Sequence, residues 1–242
     1  MSGGATFQTI ANELKPCRVS ALIYDAEALQ CNSVPELAAC YNRRVLADSG
    51  EGEAQATAPI IVAGYSYGCV LAHQMGLQLH KAGVHVGVVM FDLEVTWPPP
   101  ESNDRIDGYK FLGGEAEAIL LISRALGKFD FAMKEAVELN RILAESGSID
   151  VDALHERAFE HLAQRGMSKE LFTQLVKRGG TNIQQLHTIA DPWEPSEVLD
   201  SPALLVLAPD SMEFATAREI NEKFCTQMEV VHGKGSHYNM MQ

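Results

Sequence analysis

The pentapeptide Gly64-Tyr65-Ser66-Tyr67-Gly68 constrains the fold more than any other part of the sequence. It follows an apolar, β-branched run at 60–62 that is typical of a buried strand, and it precedes a segment at 69–79 whose pattern predicts a helix. Strand, Gly-x-Ser-x-Gly and helix in this order predict a nucleophile elbow, a sharp turn that lifts the serine hydroxyl above the sheet. Glycines are expected on both sides of the serine because side chains there would collide with neighbouring backbone. The helix would also point its first N–H groups at an anion formed beside the serine.

Strands and helices alternate along most of the chain. Apolar runs predict strands at 19–24, 60–62, 86–91, 203–208 and 228–231. Helical spacing predicts helices at 6–14, 33–46, 69–79 and 215–224, the second of them capped by Ser33 with Glu36 completing a capping box. This alternation favours a mostly parallel sheet flanked by helices, and with the elbow it predicts an α/β-hydrolase fold.

The segment from about 113 to 190 breaks the alternation, since it contains no convincing strand. Its apolar residues predict four successive helices, at 115–126, 131–146, 151–165 and 168–177. We interpret it as a helical lid inserted within a single α/β-hydrolase domain that covers residues 1–242. The alternative is a helical layer that has no gating role.

Composition narrows the class of partner and the compartment. A net charge of −13 argues against nucleic acid, because phosphate binding needs clustered lysine and arginine. No run approaches the roughly 18 apolar residues that span a membrane, and the first residues lack the features of a signal peptide. The five cysteines are scattered, without a Cys-x-x-Cys pair, which favours a reducing, cytoplasmic location and predicts no metal site.

A serine nucleophile needs a base, and the base needs an acid that orients it. Among the eight histidines, His237 is placed best, in a glycine-flanked loop after the last predicted strand, whereas its rival His232 ends that strand. Two aspartates compete for the acid. Asp92 ends the strand after the elbow helix, and Asp210 follows a later strand. Both lie at carboxyl ends of strands, so the residues alone leave this choice open.

Four stretches together resemble the type I thioesterase domains of fatty acid and polyketide synthases. They are the elbow with Ala72 on its helix, the strand ending in Phe91-Asp92 before prolines, the segment 33–41, and the loop Gly235-Ser236-His237-Tyr238-Asn239-Met240-Met241. The resemblance covers nearly the whole chain, including the helical segment. It implies that Asp92 is the acid and that the substrate is an acyl or polyketide chain. That chain would be carried on the phosphopantetheine arm of an acyl carrier protein, in cis or in trans, with no further cofactor.

Both ends of the chain depart from the family pattern. The family begins with an apolar strand and a loop of the type His-Pro-x-Gly-Gly, which supplies one N–H of the oxyanion hole, and it carries a helix after the histidine loop. Here Ser2-Gly3-Gly4-Ala5 stands in place of that loop. Either the sequence is a fragment of a longer polypeptide or it is a shortened member. The Tyr67 N–H is expected to donate to an oxyanion, and Gly4 or Ala5 are candidates for the second donor.

These residues predict a serine thioesterase in which Ser66 forms an acyl-serine that water or an internal nucleophile then releases, by hydrolysis or by cyclisation. One alternative is a stand-alone serine esterase, lipase or editing thioesterase with the same three residues. Another, from a different class, is a non-catalytic module that binds acyl groups or serves assembly.

Overall fold

The computed structural model describes residues 8–48, 59–97, 112, 114–126, 128–190, 192–209, 216–235, 237 and 240. Its elements are α1 (Gln8–Glu13), α2 (Val34–Asp48), β1 (Ile60–Tyr65), α3 (Gly68–Lys81), β2 (Val86–Phe91), α4 (Gly114–Ala125), α5 (Phe129–Ser146), α6 (Val151–Ala163), α7 (Lys169–Ala190), β3 (Leu199–Leu207), α8 (Ala217–Phe224) and β4 (Cys225–His232). A short 3₁₀ helix, Ala28–Gln30, precedes α2.

The described strands form one parallel sheet in the order β1-β2-β3-β4. Tyr65 pairs with Phe91, and Phe91 pairs with Val206, so the carboxyl ends of the first three strands lie side by side. Helix α3 packs on the sheet at Gly76, where an added Cβ would lie 2.3 Å from Val88 Cγ2. The predicted parallel sheet flanked by helices is therefore confirmed, and it gathers the strand ends that carry the candidate residues.

The strand predicted at 19–24 is wrong, because this segment has no regular secondary structure. Among the described residues, β1 pairs with β2 alone, so no strand of the sheet forms a ladder with this segment. Side-chain hydrogen bonds to α2 hold it instead: Arg18 Nη2 and Ser20 Oγ donate to the Asp48 carboxylate at 2.7 and 3.0 Å. Its apolar side chains remain exposed, 59% in the case of Ile23.

Helix α2 begins as the sequence predicts. The Glu36 N–H donates to Ser33 Oγ at 3.3 Å, and Glu36 Oε2 accepts from the Asn32 N–H at 2.8 Å. The reciprocal pattern of a capping box is present, but the glutamate reaches the residue before the cap.

The chain divides into two compact units, residues 1–101 with 189–242, and residues 102–188. The second unit contains α4 to α6 and most of α7 around its own apolar core, whose fully buried members include Ile119, Leu120, Leu154, Leu162 and Phe172. The predicted helices are thus present, and the role of this unit as a lid stays a prediction.

Helix α7 runs to Ala190, well past the end predicted at 177. It passes through Gly179 and Gly180, which usually weaken a helix. A Cβ at Gly180 would lie 2.8 Å from Glu115 Cγ and 2.9 Å from Glu115 N, so the glycine permits a close approach of α7 to α4. Tertiary packing therefore explains why α7 continues through a glycine at which the sequence pattern would end a helix.

All five cysteines are free thiols. Within the described ranges, no helix is both long and apolar enough to cross a membrane.

Candidate active site

Ser66 occupies the turn between β1 and α3 with a left-handed backbone, φ 56°. Such a conformation costs a non-glycine residue about 1–3 kcal/mol and persists only where surrounding structure fixes it. Here the Ser66 N–H donates to the Phe91 carbonyl at 3.2 Å, and the Ser66 carbonyl accepts from the Cys69 N–H at 2.8 Å. The turn is thus anchored to β2 on one side and to the first turn of α3 on the other.

The two glycines of the motif differ in what they allow. A Cβ on Gly64 would lie 2.0 Å from the Gly68 carbonyl oxygen, so only glycine fits there. A Cβ on Gly68 would have no described atom within 4 Å. The expected steric need for glycine therefore holds before Ser66 and is wrong for the position after it.

The structure brings Ser66, Asp92 and His237 into one hydrogen-bonded chain. His237 Nε2 lies 3.1 Å from Ser66 Oγ, and His237 Nδ1 lies 3.1 Å from Asp92 Oδ2. A serine hydroxyl donating to Nε2 and an Nδ1–H donating to Asp92 satisfy these contacts, and the Asp92 backbone carbonyl also lies 3.1 Å from Nδ1. Asp92 and His237 are 1% and 5% exposed, so water is largely excluded from the carboxylate–imidazole pair.

Asp92 is held in place by hydrogen bonds to the end of β3. It follows β2 with a left-handed φ of 58°, and its N–H donates to the Val206 carbonyl at 3.0 Å. Its Oδ1 accepts from the Ala208 N–H at 2.8 Å, which leaves Oδ2 for His237. One carboxylate oxygen therefore ties the residue to the end of β3 and the other orients the imidazole.

Tyr65 contacts His237 in two ways that the sequence does not predict. Its ring stacks on the imidazole, with centroids 5.0 Å apart and an interplanar angle of 22°. Its hydroxyl donates to the His237 backbone carbonyl. Any residue satisfies this position of the Gly-x-Ser-x-Gly pattern, so the motif carries no signal for the contact.

Tyr67 is the N-cap of α3, and the first N–H groups of a helix have no partners within it. These groups and the helix dipole can stabilise negative charge developing beside Ser66 Oγ. The Tyr67 ring packs edge-on against Trp97, with centroids 5.2 Å apart, and burial raises the pKa of its phenol. The side chain thus stays neutral and packs on Trp97.

The sequence predicts four further candidates: His232, Gly4, Ala5 and Asp210. His232 ends β4 with an exposed side chain, and the histidine that contacts Ser66 is His237. The candidates for the second oxyanion donor, Ala5 and Gly4, lie outside the described residues. So does the alternative acid, Asp210. Clusters of metal-ligating side chains are absent from the described part of the chain.

Cys69 follows the elbow but is not arranged as a nucleophile. Its Sγ is buried, 3.4 Å from the carbonyl oxygens of both Gly64 and Phe91. Burial raises the pKa of the thiol far above neutrality, so the reactive thiolate does not form there.

No family model matches the sequence, and no curated protein matches it. Solved structures do match. One is the thioesterase domain SrfTE, which cyclizes the lipopeptide antibiotic surfactin. It is 14% identical to this chain with a TM-score of 0.55, and the match covers 100% of this chain and 80% of that one. The NocB thioesterase domain from the nocardicin cluster is 15% identical with a TM-score of 0.57, covering 100% and 82%.

The type II thioesterase BorB from the borrelidin biosynthetic cluster is 14% identical with a TM-score of 0.57, covering 98% of this chain and 82% of that one. These matches show that the chain has the α/β-hydrolase fold of thioesterase domains. The predicted resemblance is therefore confirmed at the level of the fold.

Proposed function

We propose that this chain is a serine thioesterase that releases an acyl or polyketide chain from a phosphopantetheine carrier thioester. The observation that carries the proposal is the hydrogen-bonded chain from Ser66 through His237 to Asp92, at the carboxyl ends of strands in a fold shared with thioesterase domains. In this scheme Ser66 is the nucleophile, His237 the base and Asp92 the group that orients the base.

The reaction begins when Ser66 Oγ attacks the thioester carbonyl and its proton passes to His237 Nε2, 3.1 Å away. The tetrahedral oxyanion is stabilised by the Tyr67 N–H at the start of α3. The C–S bond then breaks, His237 returns the proton to the departing sulfur, and an acyl-serine remains. A water molecule, or a hydroxyl or amine within the acyl chain, gives its proton to His237 and attacks the ester. The bond between the acyl carbon and Ser66 Oγ then breaks, His237 returns the proton to Ser66 Oγ, and the product leaves as a free acid or a ring.

The partner we propose is an acyl carrier protein, joined in cis or acting in trans, and the place we propose is the cytoplasm. SrfTE cyclizes surfactin and BorB is a type II thioesterase, and the chain is similar in fold to both, with TM-scores of 0.55 and 0.57. An editing thioesterase with the same three residues is the second candidate. A stand-alone serine esterase is the third.

The test is mass spectrometry of Ser66 after incubation with one acyl group presented on a carrier protein, on coenzyme A, on N-acetylcysteamine and as an oxygen ester. We expect an acyl adduct on Ser66, formed fastest from the carrier thioester, and no adduct in Ser66→Ala. A much faster reaction with the oxygen ester would instead favour the esterase. A folded sample that a fluorophosphonate fails to label would favour a non-catalytic acyl-binding module.

The chain offers its own control for such labelling. Ser201 Oγ lies 2.7 Å from His80 Nδ1, so it also forms a serine–histidine pair, but it is buried within β3 rather than raised on an elbow. Ser201→Ala should therefore leave the labelling unchanged, which separates an activated serine from one that is only hydrogen-bonded.

A further inference from the structure

We propose that Tyr65 is a positioning residue that holds His237 against Ser66, an inference that rests on the proposed function. Its ring lies 5.0 Å from the imidazole centroid at 22°, and its hydroxyl donates to the His237 carbonyl. The first contact limits the tilt and rotation of the imidazole. The second ties down the backbone from which the imidazole projects.

Tyr65 is itself held rigidly, which gives these contacts their effect. It is the last residue of β1 and pairs in register with Phe91 of β2. The preceding Gly64 admits no side chain, and the following Ser66 is fixed at φ 56° by its bond to the Phe91 carbonyl. The turn that raises the nucleophile therefore also carries the group that sets the base.

This arrangement answers a requirement of the chemistry. His237 must first accept a proton from Ser66 Oγ and then deliver it to the leaving sulfur, so Nε2 must stay within about 3 Å of both atoms. A misplacement of about 1 Å at a reacting group can cost about 10²-fold in rate. Asp92 constrains the Nδ1 side of the ring at 3.1 Å, and Tyr65 constrains its face. The two supports act in different directions and are not redundant.

Two substitutions remove the contacts of Tyr65 with His237 in turn. Tyr65→Phe keeps the ring and removes the hydroxyl, whereas Tyr65→Leu removes both. Tyr24→Phe is the matched control, because the buried Tyr24 hydroxyl has no hydrogen-bond partner in the described part of the chain and burial raises its pKa to about 12.

Two rates are measured for each variant: turnover of an N-acetylcysteamine thioester, as kcat and KM, and labelling of Ser66 by a fluorophosphonate. We expect kcat and the labelling rate to fall about tenfold in Tyr65→Phe and about 10²-fold in Tyr65→Leu, with KM changed less than about twofold, since only the geometry of proton transfer is disturbed. Tyr24→Phe should match the parent protein in both rates.

A Tyr65→Leu variant that unfolds at the parent's denaturant midpoint and is labelled at the parent's rate would overturn the proposal. So would a raised KM with kcat unchanged, which would make Tyr65 a substrate contact. If the leucine variant does not fold, Tyr65→Phe decides, and an unchanged labelling rate then counts against the proposal. A parent protein that is labelled at Ser66 but cleaves no thioester refutes the proposed function alone, and the ratio of labelling rates still tests Tyr65.

Discussion

At the scale of single residues, Asp92 meets two demands at once. Its left-handed backbone and the Ala208 N–H bond to Oδ1 fix it to the sheet, while Oδ2 faces His237 Nδ1 at 3.1 Å. Asparagine tolerates a left-handed backbone well, so Asp92→Asn should preserve the fold. The substitution replaces the negative carboxylate, which would stabilise an imidazolium, with a neutral amide. The amide can also turn its N–H₂ group toward Nδ1.

Under the proposed function we expect Asp92→Asn to lower kcat by about 10³-fold or more, as loss of the orienting carboxylate does in enzymes with a Ser-His-Asp triad. The matched variant Asp210→Asn tests the other aspartate that follows a strand, and we expect it to retain activity within about threefold. Thioester turnover of the two purified proteins decides between them. A larger loss in Asp210→Asn would transfer the role of acid to that residue.

The glycines around Ser66 give a second contrast between single residues. Gly64→Ala would place a Cβ 2.0 Å from a backbone oxygen, whereas Gly68→Ala places one in space free of described atoms. We expect Gly64→Ala to lower the free energy of unfolding by more than about 2 kcal/mol, because the clash involves backbone that cannot move aside. Gly68→Ala begins α3 with a better helix former and should be neutral or slightly stabilising.

Urea unfolding of both alanine variants, with fluorophosphonate labelling as a probe of the elbow, measures this difference. Equal destabilisation of the two proteins would show that the turn rejects side chains on both sides of the serine, as the motif alone suggests.

At the scale of elements, α3 is joined to the far strand through a buried histidine. His73 is 1% exposed, and its Nε2 lies 3.0 Å from the carbonyl of Phe224, where α8 meets β4. Burial lowers the pKa of His73, because the protonated imidazole loses its hydration there. The folded protein therefore favours the neutral ring.

The pH dependence follows from this direction of the pKa shift. Between the lowered folded pKa and the unfolded value of about 6.5, the unfolded chain binds more protons. The contribution of His73 to stability is thus complete above about pH 6.5 and is lost as the pH falls below it, by at most about 1.4 kcal/mol per pH unit.

His73→Gln keeps an amide donor for the Phe224 carbonyl but does not titrate. We expect its free energy of unfolding in urea to fall less between pH 7.5 and 5 than that of the parent protein. His85→Gln, which removes an exposed imidazole, controls for the loss of one histidine from the unfolded chain. Identical pH slopes for the parent and His73→Gln would refute the assignment.

The elements also show what local sequence can and cannot specify. The run at 86–91 forms β2 as predicted, while 19–24, with a similar apolar composition, forms no strand. Strand formation requires pairing with another strand, which is a long-range property that periodicity does not contain. In α7 the glycines at 179 and 180 suggest a helix end, but the approach of α4 favours them inside the helix.

The candidate site divides in the same way. Ser66 and His237 could be predicted because each follows a strand, and parallel strands bring their carboxyl ends together. The sequence favours Asp92 over Asp210 only through the family resemblance, because both follow strands. Tyr65 could not be predicted, since its contact with His237 depends on the path of a loop after β4. Order along the chain locates residues that follow strands, but it does not show which other side chains they contact.

At the scale of the whole molecule, fold and sequence carry different information. The chain shares its fold with thioesterase domains at 14–15% identity, and no family model matches its sequence. The sequence of this chain places a serine after β1, an aspartate after β2 and a histidine after β4, and the parallel sheet brings the three together. The chemistry at a site of this kind is therefore better tested by variants of those residues than by sequence likeness.

Net charge provides the last test, because it acts on the encounter with the partner. The chain carries 32 acidic and 19 basic residues, for a net charge of −13. An acidic carrier protein acting in trans is repelled over a Debye length of about 30 Å at 0.01 M salt, and over only about 8 Å at 0.15 M. We expect kcat/KM for a carrier-bound thioester to rise severalfold as the salt concentration rises across this range. The kcat/KM for the uncharged N-acetylcysteamine thioester should stay constant.

A kcat/KM that falls with rising salt would instead reveal a local basic surface that attracts the carrier. A carrier fused to the chain should show no salt dependence, because tethering replaces the diffusional encounter.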